Sequence, residues 1–199
     1  MPLVEVVAAE GSDPEIVQRG NAFVRQIDRL PLPVRSAPGF LVNAVLGPYM
    51  LEAMRAVDEG LTPETVDEAM LAFGMPMGPI ELIDMVGLDV AMAAGSSLAG
   101  AGATPPACLL ARFNAGYLGK KAGKGFYDYP NGRPAKGPAG AVPAGLAARL
   151  VKPLLERTQQ LVSDGIVADA DLADAGVIFG TGFAPFTGGP LNYLRNQHA

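Results

Sequence analysis

Residues 38–84 read PGFLVNAVLGPYMLEAMRAVDEGLTPETVDEAMLAFGMPMGPIELID, and this stretch decides the fold. From Phe40 to Val57 nearly every position is apolar: Leu41, Val42, Val45, Leu46, Tyr49, Met50, Leu51, Met54 and Val57. A helix that is apolar on almost all sides must be covered on almost all sides. Pro38-Gly39 breaks whatever precedes it, and Pro48 lies inside the run, where it lacks an N–H and crowds the carbonyl one turn back. Gly60 suits a helix C-cap. Thr62-Pro63-Glu64 then opens a second helix with an N-cap, a first-turn proline and a first-turn acid. Val66, Ala69, Met70 and Phe73 recur at helical spacing, Gly74 ends the helix, and a turn at 75–79 leads into a short third helix stopped by Gly87. The lone amide in the first turns is Asn43. Its donors and acceptor leave two readings open: a satisfied core amide, or a polar handle aimed at a ligand oxygen in a pocket.

Outward from this stretch the chain resolves into further elements. LVEVV at 3–7 predicts a strand, Asp13-Pro14-Glu15 opens a helix to about Arg29 with Ile16, Phe23, Val24 and Ile27 as its apolar side, and 32–35 predicts a second strand. Two parallel strands need neighbours and covered faces, so this βαβ unit reads as the tail end of a larger α/β domain. Downstream, Asp89 is a candidate cap for a helix to about Leu98, residues 100–107 form a loop, and 108–114 a short amphipathic helix. GKKAGKG at 119–125 has neither the spacing nor the following helix of a phosphate loop. It reads as a basic turn that docks the extended aromatic run Phe126-Tyr127-Asp128-Tyr129 onto the helices, with a minor electrostatic role toward a ligand's phosphates as the alternative. The Pro- and Gly-rich stretch 130–143 reads as a linker.

Three motifs occur in order: PGFLVNAVLGPYMLEA at 38–53, MPMGPIELIDMVGLD at 75–89 and GYLGKKAGKGFYDY at 116–129. Together they resemble the C-terminal helical domain of the 3-hydroxyacyl-CoA dehydrogenases of fatty-acid β-oxidation, from Met1 to about Tyr129. A weaker likeness to the repeated helical domain of multifunctional β-oxidation proteins continues to Arg195. The resemblance implies a mainly α fold, a helical bundle of two related units (6-phosphogluconate dehydrogenase C-terminal-like), with a short βαβ remnant of a Rossmann-type domain at the N-terminus. The implied organisation is 1–36 as the remnant of the NAD-binding domain, 37–130 as the first helical domain, 131–143 as linker and 144–199 as the second helical repeat.

The implied activity is NAD-dependent oxidation of (S)-3-hydroxyacyl-CoA to 3-oxoacyl-CoA, in the cytoplasm, by an enzyme that dimerises through its helical domain. In that family a His acts as base and a Glu orients it. The Glu maps onto Glu5, and the His falls upstream of Met1. The substrate-facing Asn maps onto Asn43, while Ala44 departs from the usual Arg beside it. His198, second from the C-terminus, is a poor substitute base. Glu5 without its His is therefore expected to be a surface carboxylate. NAD is expected in the intact enzyme and not with this chain alone, because no G-x-G-x-x-G is present and Gly180-Thr181-Gly182 fails at Pro185. The alternatives are a non-catalytic dimerisation module, or a half-enzyme complemented by a separate NAD-binding chain.

Composition sets further bounds. The 199 residues are 49% hydrophobic and 18% charged, enough for a substantial core. A net charge of −5 argues against nucleic-acid binding. One cysteine, Cys108, excludes an internal disulfide and a cysteine metal framework. The start MPLVEVVAAE lacks the basic segment of a signal peptide. Val90 to Ala111 is uncharged, but its glycines, serines and Pro105-Pro106 argue against a membrane span.

The chain also repeats itself. Pro48 to Gly60 spans twelve steps, as does Pro153 to Gly165, and Gly78-Pro79-Ile80-Glu81-Leu82 faces Gly189-Pro190-Leu191-Asn192-Tyr193. The position matching Asn43 is Ala148, so the second unit reads as structural cover for the first. Asp169, Asp171 and Asp174 lack the Gly and Glu of a calcium loop, and read as a helix N-terminal acidic cluster and no more.

Overall fold

The computed structural model describes residues 2–98 and 104–197. The elements run β1 (Leu3–Ala8), α1 (Pro14–Gln26), β2 (Leu30–Arg35), α2 (Val42–Asp58), α3 (Pro63–Phe73), α4 (Pro79–Val86), α5 (Leu88–Leu98), α6 (Ala107–Asn114), α7 (Leu146–Ser163), α8 (Ala170–Thr181) and α9 (Pro190–Gln197). The mainly α architecture with a small N-terminal βαβ unit is the one the sequence predicts. The two strands are parallel, in register from Leu3↔Leu30 to Ala8↔Arg35. Among the described residues no helix is long and apolar enough to cross a membrane.

Two compact units divide the chain, Met1–Leu46 with Leu154–Ala199, and Gly47–Pro153. Each takes residues from both sides of the 131–143 stretch. The first unit holds the sheet, α1, the N-terminal turn of α2, the end of α7, α8 and α9. Its core includes Leu32, Val34, Leu41, Val45, Leu154, Leu161, Val177 and Phe183. The second unit holds the rest of α2, α3 to α6 and the start of α7, around Tyr49, Val66, Met70, Ile80, Ile83, Leu88, Leu109 and Leu150.

The local signals act as read. Thr62 Oγ1 accepts the Thr65 N–H at 3.2 Å, and Gly74 caps α3 in the left-handed conformation, φ 107°. Pro48 and Pro153 both lie inside their helices, α2 and α7. Asp13 accepts the Glu15 N–H at 2.8 Å and opens α1. That helix ends at Gln26, short of the expected Arg29, because the chain turns into a left-handed residue at Asp28, φ 54°.

Two expectations need correction. Of the predicted apolar side of α1 only Val24 is buried, while Ile16, Phe23 and Ile27 are 58%, 60% and 48% exposed. The sheet beneath α1 is too narrow to cover them. Asp89 lies inside the first turn of α5 rather than capping it, and its carboxylate takes Lys121 Nζ at 2.5 and 2.6 Å. The 130–143 stretch, read as a linker, is tied to α3 and α4. Lys136 Nζ reaches Asp67 and Glu81 at 3.0 and 2.7 Å, the Gly137 N–H donates to Glu64, and the Gly140 N–H donates to Thr65 Oγ1.

Candidate functional site

The residues that the resemblance singles out meet at the start of α2. The chain enters this helix through two left-handed residues, Gly39 at φ 76° and Phe40 at φ 48°. A bulky residue in that region costs about 1–2 kcal/mol. Such turns point successive N–H groups to one side, where an anion can accept them. Here the anion is Glu5. Its Oε1 accepts the N–H of Leu41 at 2.7 Å and that of Val42 at 3.3 Å. Burial pushes the Glu5 carboxyl above the ordinary carboxylate range, and the two amides pull it back down. Glu5 is thus a half-buried helix cap, not the surface carboxylate expected of it, because β1 runs beside the N-terminus of α2.

Asn43 is the next residue along, and it is exposed. The expectation of a satisfied core amide is corrected, since the buried side chains here are those of Leu41, Val42, Ala44 and Val45 instead. Its counterpart Ala148 is likewise exposed on α7. His198 lies outside the described residues. Glu5 and Asn43 are therefore brought within one helical turn of each other in sequence-distant elements.

The β1–α1 turn does not fit a dinucleotide. A pyrophosphate needs free N–H groups and a positive helix end. The start of α1 is instead occupied by its own Asp13 carboxylate, with Glu10 and Glu15 adjacent in the sequence. In the second unit the basic turn behaves as read. Asp84 accepts the N–H groups of Phe126 and Tyr127 at 2.8 and 2.9 Å and the Tyr129 hydroxyl at 3.1 Å, which docks the aromatic run. Lys121 is paired with Asp89 and Lys124 with Asp128, while Lys120, the third lysine of the turn, is exposed. Cys108 is buried, its thiol pushed up to about 12 chiefly by burial and by Asp58, and so inert as a nucleophile.

Sequence reasoning missed a set of buried carboxylates. Asp67 accepts the N–H groups of Ile80 and Glu81 at 2.8 and 3.2 Å and the Tyr127 hydroxyl at 2.8 Å. Asp174 accepts those of Leu191 and Asn192 at 2.6 and 3.0 Å. Asp58, which is exposed, accepts the N–H groups of Ala107 and Cys108 at 2.8 and 2.7 Å. The acidic cluster at 169–174 is therefore more than a helix start: Asp169 caps α8, while Asp174 caps α9. The signal was present as Asp67 and Asp174 at the same distance, five residues, past the N-caps Thr62 and Asp169.

The helices, with their repeated α3–α4 and α8–α9 turns, and the small parallel βαβ unit define the class: a mainly α protein carrying a short α/β segment. Residues 39–129 match the family described as the 3-hydroxyacyl-CoA dehydrogenase C-terminal domain. The chain is 36% identical over 214 residues to the fatty acid oxidation complex subunit alpha of Shewanella sp. (strain ANA-3), covering 98% of this chain and 30% of that protein. It thus spans about a third of the length of the curated relatives it matches. A solved 3-hydroxybutyryl-CoA dehydrogenase from Escherichia coli superposes on 99% of this chain and 61% of its own with a TM-score of 0.80 at 22% identity, which shows the shared fold. FadB2 of M. tuberculosis is 38% identical over 65% of this chain and 48% of its own, TM-score 0.61.

Proposed function

We propose that this chain is the substrate-side helical part of an NAD-dependent 3-hydroxyacyl-CoA dehydrogenase of fatty-acid β-oxidation, and that it is inactive by itself. The observation that carries this reading is the unfinished α/β unit. Among the described residues two parallel strands stand without further neighbours, and α1 presents Ile16, Phe23 and Ile27 to solvent on one stripe beside them. Parallel sheets are stable when covered on both faces. Gly20, in the same stripe, sits 3.6 Å (from its would-be Cβ) above Val6 of β1, so the stripe overhangs that strand. A dinucleotide-binding α/β region, in the same polypeptide or in another, would extend the sheet and cover the stripe. It would also supply the base and the cofactor site that the β1–α1 turn does not fit.

Within that assembly the chain contributes two groups. Asn43 offers its amide to the oxygen of an acyl-CoA substrate at an open surface. Glu5 keeps one carboxylate oxygen, Oε2, for orienting and charging the imidazole base. The reaction class is oxidation of (S)-3-hydroxyacyl-CoA to 3-oxoacyl-CoA. A homodimer through the helical domain belongs to the same proposal.

The test is direct. The chain with NADH and acetoacetyl-CoA should leave the nicotinamide absorbance unchanged, and turnover would sink the claim of inactivity. Adding the NAD-binding region of a relative should restore turnover, and Phe23→Asp should abolish the restoration while leaving the chain folded. Tight stoichiometric binding of NAD by the chain alone, seen by calorimetry, would overturn the division of labour.

A further inference from the structure

Glu5 and α8 together hold the start of α2 in place. Glu5 Oε1 takes two consecutive N–H groups, Leu41 and Val42, across 36 and 37 residues of sequence. Asn43 follows on the same turn, and its own placement is set by where those two amides are held. On the other side of Leu41 and Val42 lies α8, which approaches through two glycines. A Cβ on Gly180 would come within 2.5 Å of Val42 Cγ2 and 3.1 Å of Leu3 Cδ2, and one on Gly176 within 2.6 Å of Leu41 Cδ2 and 2.7 Å of Leu32 Cδ2. Real Cβ atoms do not reach such distances without the neighbour moving. The matching positions of the first repeat, counted from Asp67 as from Asp174, are Ala69 and Phe73. The second repeat thus carries glycine where it meets β1, β2 and the first turn of α2.

We propose that Glu5 is a positioning residue that pins the first turn of α2, and with it Asn43, to β1, and that α8 seats this pin from the far side. The second repeat then does more than cover apolar surface: it holds a polar residue of the first repeat at its working place. The proposal rests on the reading above only for the use Asn43 is put to. The hydrogen bonds and the contact with α8 stand without it.

The experiment uses the full 199-residue chain and neither substrate nor cofactor, so its failure is distinct from failure of the dehydrogenase reading. By NMR, the Leu41 and Val42 amide resonances should titrate together with the Glu5 carboxyl. Glu5→Gln, which keeps an accepting oxygen but no charge, should abolish that titration while preserving slow amide exchange at Leu41 to Asn43. Glu5→Ala should speed exchange at those three amides by about tenfold, the size of one lost hydrogen bond, and leave Val66 and Met70 of α3 unchanged. Gly180→Ala should loosen the same three amides, and Val42→Ala in the same chain should restore them by removing the overlapping methyl. Amides at 41 and 42 that ignore the Glu5 titration would overturn the proposal. So would exchange that rises evenly along the chain in Glu5→Ala, or a Gly180→Ala effect that Val42→Ala does not relieve. Should Glu5→Ala fail to fold, the parent titration and Glu5→Gln decide the matter alone.

Discussion

The α3–α4 turn and the α8–α9 turn are two versions of one device, and they have been put to different uses. In both, a buried Asp on the first helix accepts the opening N–H groups of the second: Asp67 those of Ile80 and Glu81, Asp174 those of Leu191 and Asn192. In both, a glycine precedes the proline that starts the second helix, and a Cβ there would overlap the Asp side chain, at Gly78 and at Gly189. Close approach is what lets the carboxylate reach the helix end. The copies diverge in what else they hold. Asp67 also accepts the Tyr127 hydroxyl and Lys136 Nζ, which ties the aromatic run and the 130–143 strap to the clamp. Beyond those amides, Asp174 has Arg195 at 3.8 Å among the described residues. A duplicated turn thus keeps the contact that shapes the backbone and changes the contacts that recruit other segments.

The largest expected effect tests that divergence. Asp67→Ala leaves two helix N–H groups, a buried tyrosine hydroxyl and a lysine without their acceptor, and should destabilise the chain by about 3–5 kcal/mol in urea unfolding. Asp174→Ala, which orphans the two helix N–H groups, should cost about 1–3 kcal/mol. Equal losses would show that the extra partners of Asp67 contribute nothing, and the contrast between the turns would collapse.

The glycines give a second comparison of intermediate size. Gly78 sits at φ −69°, which any residue adopts, so Gly78→Ala meets only the overlap with Asp67, about 1–3 kcal/mol. Gly189 sits at φ 109°, so Gly189→Ala carries backbone strain of about 1–2 kcal/mol in addition. Denaturation midpoints in which Gly78→Ala is the worse of the two would refute this ordering.

A pH series sharpens what the two clamps share. Burial raises both carboxyls above their ordinary values, and the hydrogen bonds only partly counter it. A carboxyl raised in the folded state binds its proton more tightly there than in the unfolded chain. Its contribution is therefore fully present below the ordinary carboxylate pKa and is lost as pH rises through the raised value. Stability should fall from the carboxylate range toward neutrality, and Asp174→Asn should flatten that slope. A stability that climbs across this window would contradict the assignment.

The smallest effect marks the edge of the first clamp. Tyr49 is fully buried, and its hydroxyl has no hydrogen-bond partner among the described residues; burial and the nearby Asp67 charge both hold the phenol protonated. Tyr49→Phe should be neutral or stabilising by up to about 1 kcal/mol. A clear loss of thermal stability would place this hydroxyl inside the Asp67 network.

Much of this was legible before any coordinates. Thr62, Pro63, Gly60 and Gly74 each act within one turn of chain, and Glu5 and Asn43 were named through their motifs. The environment of those two residues was not legible. Nothing near Glu5 in sequence says that its carboxylate meets amides 36 residues away, and the apolar run around Asn43 suggested burial where the helix turns that one position to solvent. The stripe on α1 misled in the opposite sense, since its periodicity is that of a covered helix while the sheet present covers only Val24.

By itself the sequence determined most helix starts and stops, the repeat and the family likeness of residues 39–129, because capping, turn chemistry and apolar spacing are settled by groups a few residues apart. Only the tertiary structure decided which helix end each buried carboxylate serves, how α8 comes to rest against the first turn of α2, and which apolar faces stay open. A carboxylate accepts whatever N–H groups the packing of distant elements places within about 3 Å, and that is a property of the assembled chain rather than of any one stretch of it.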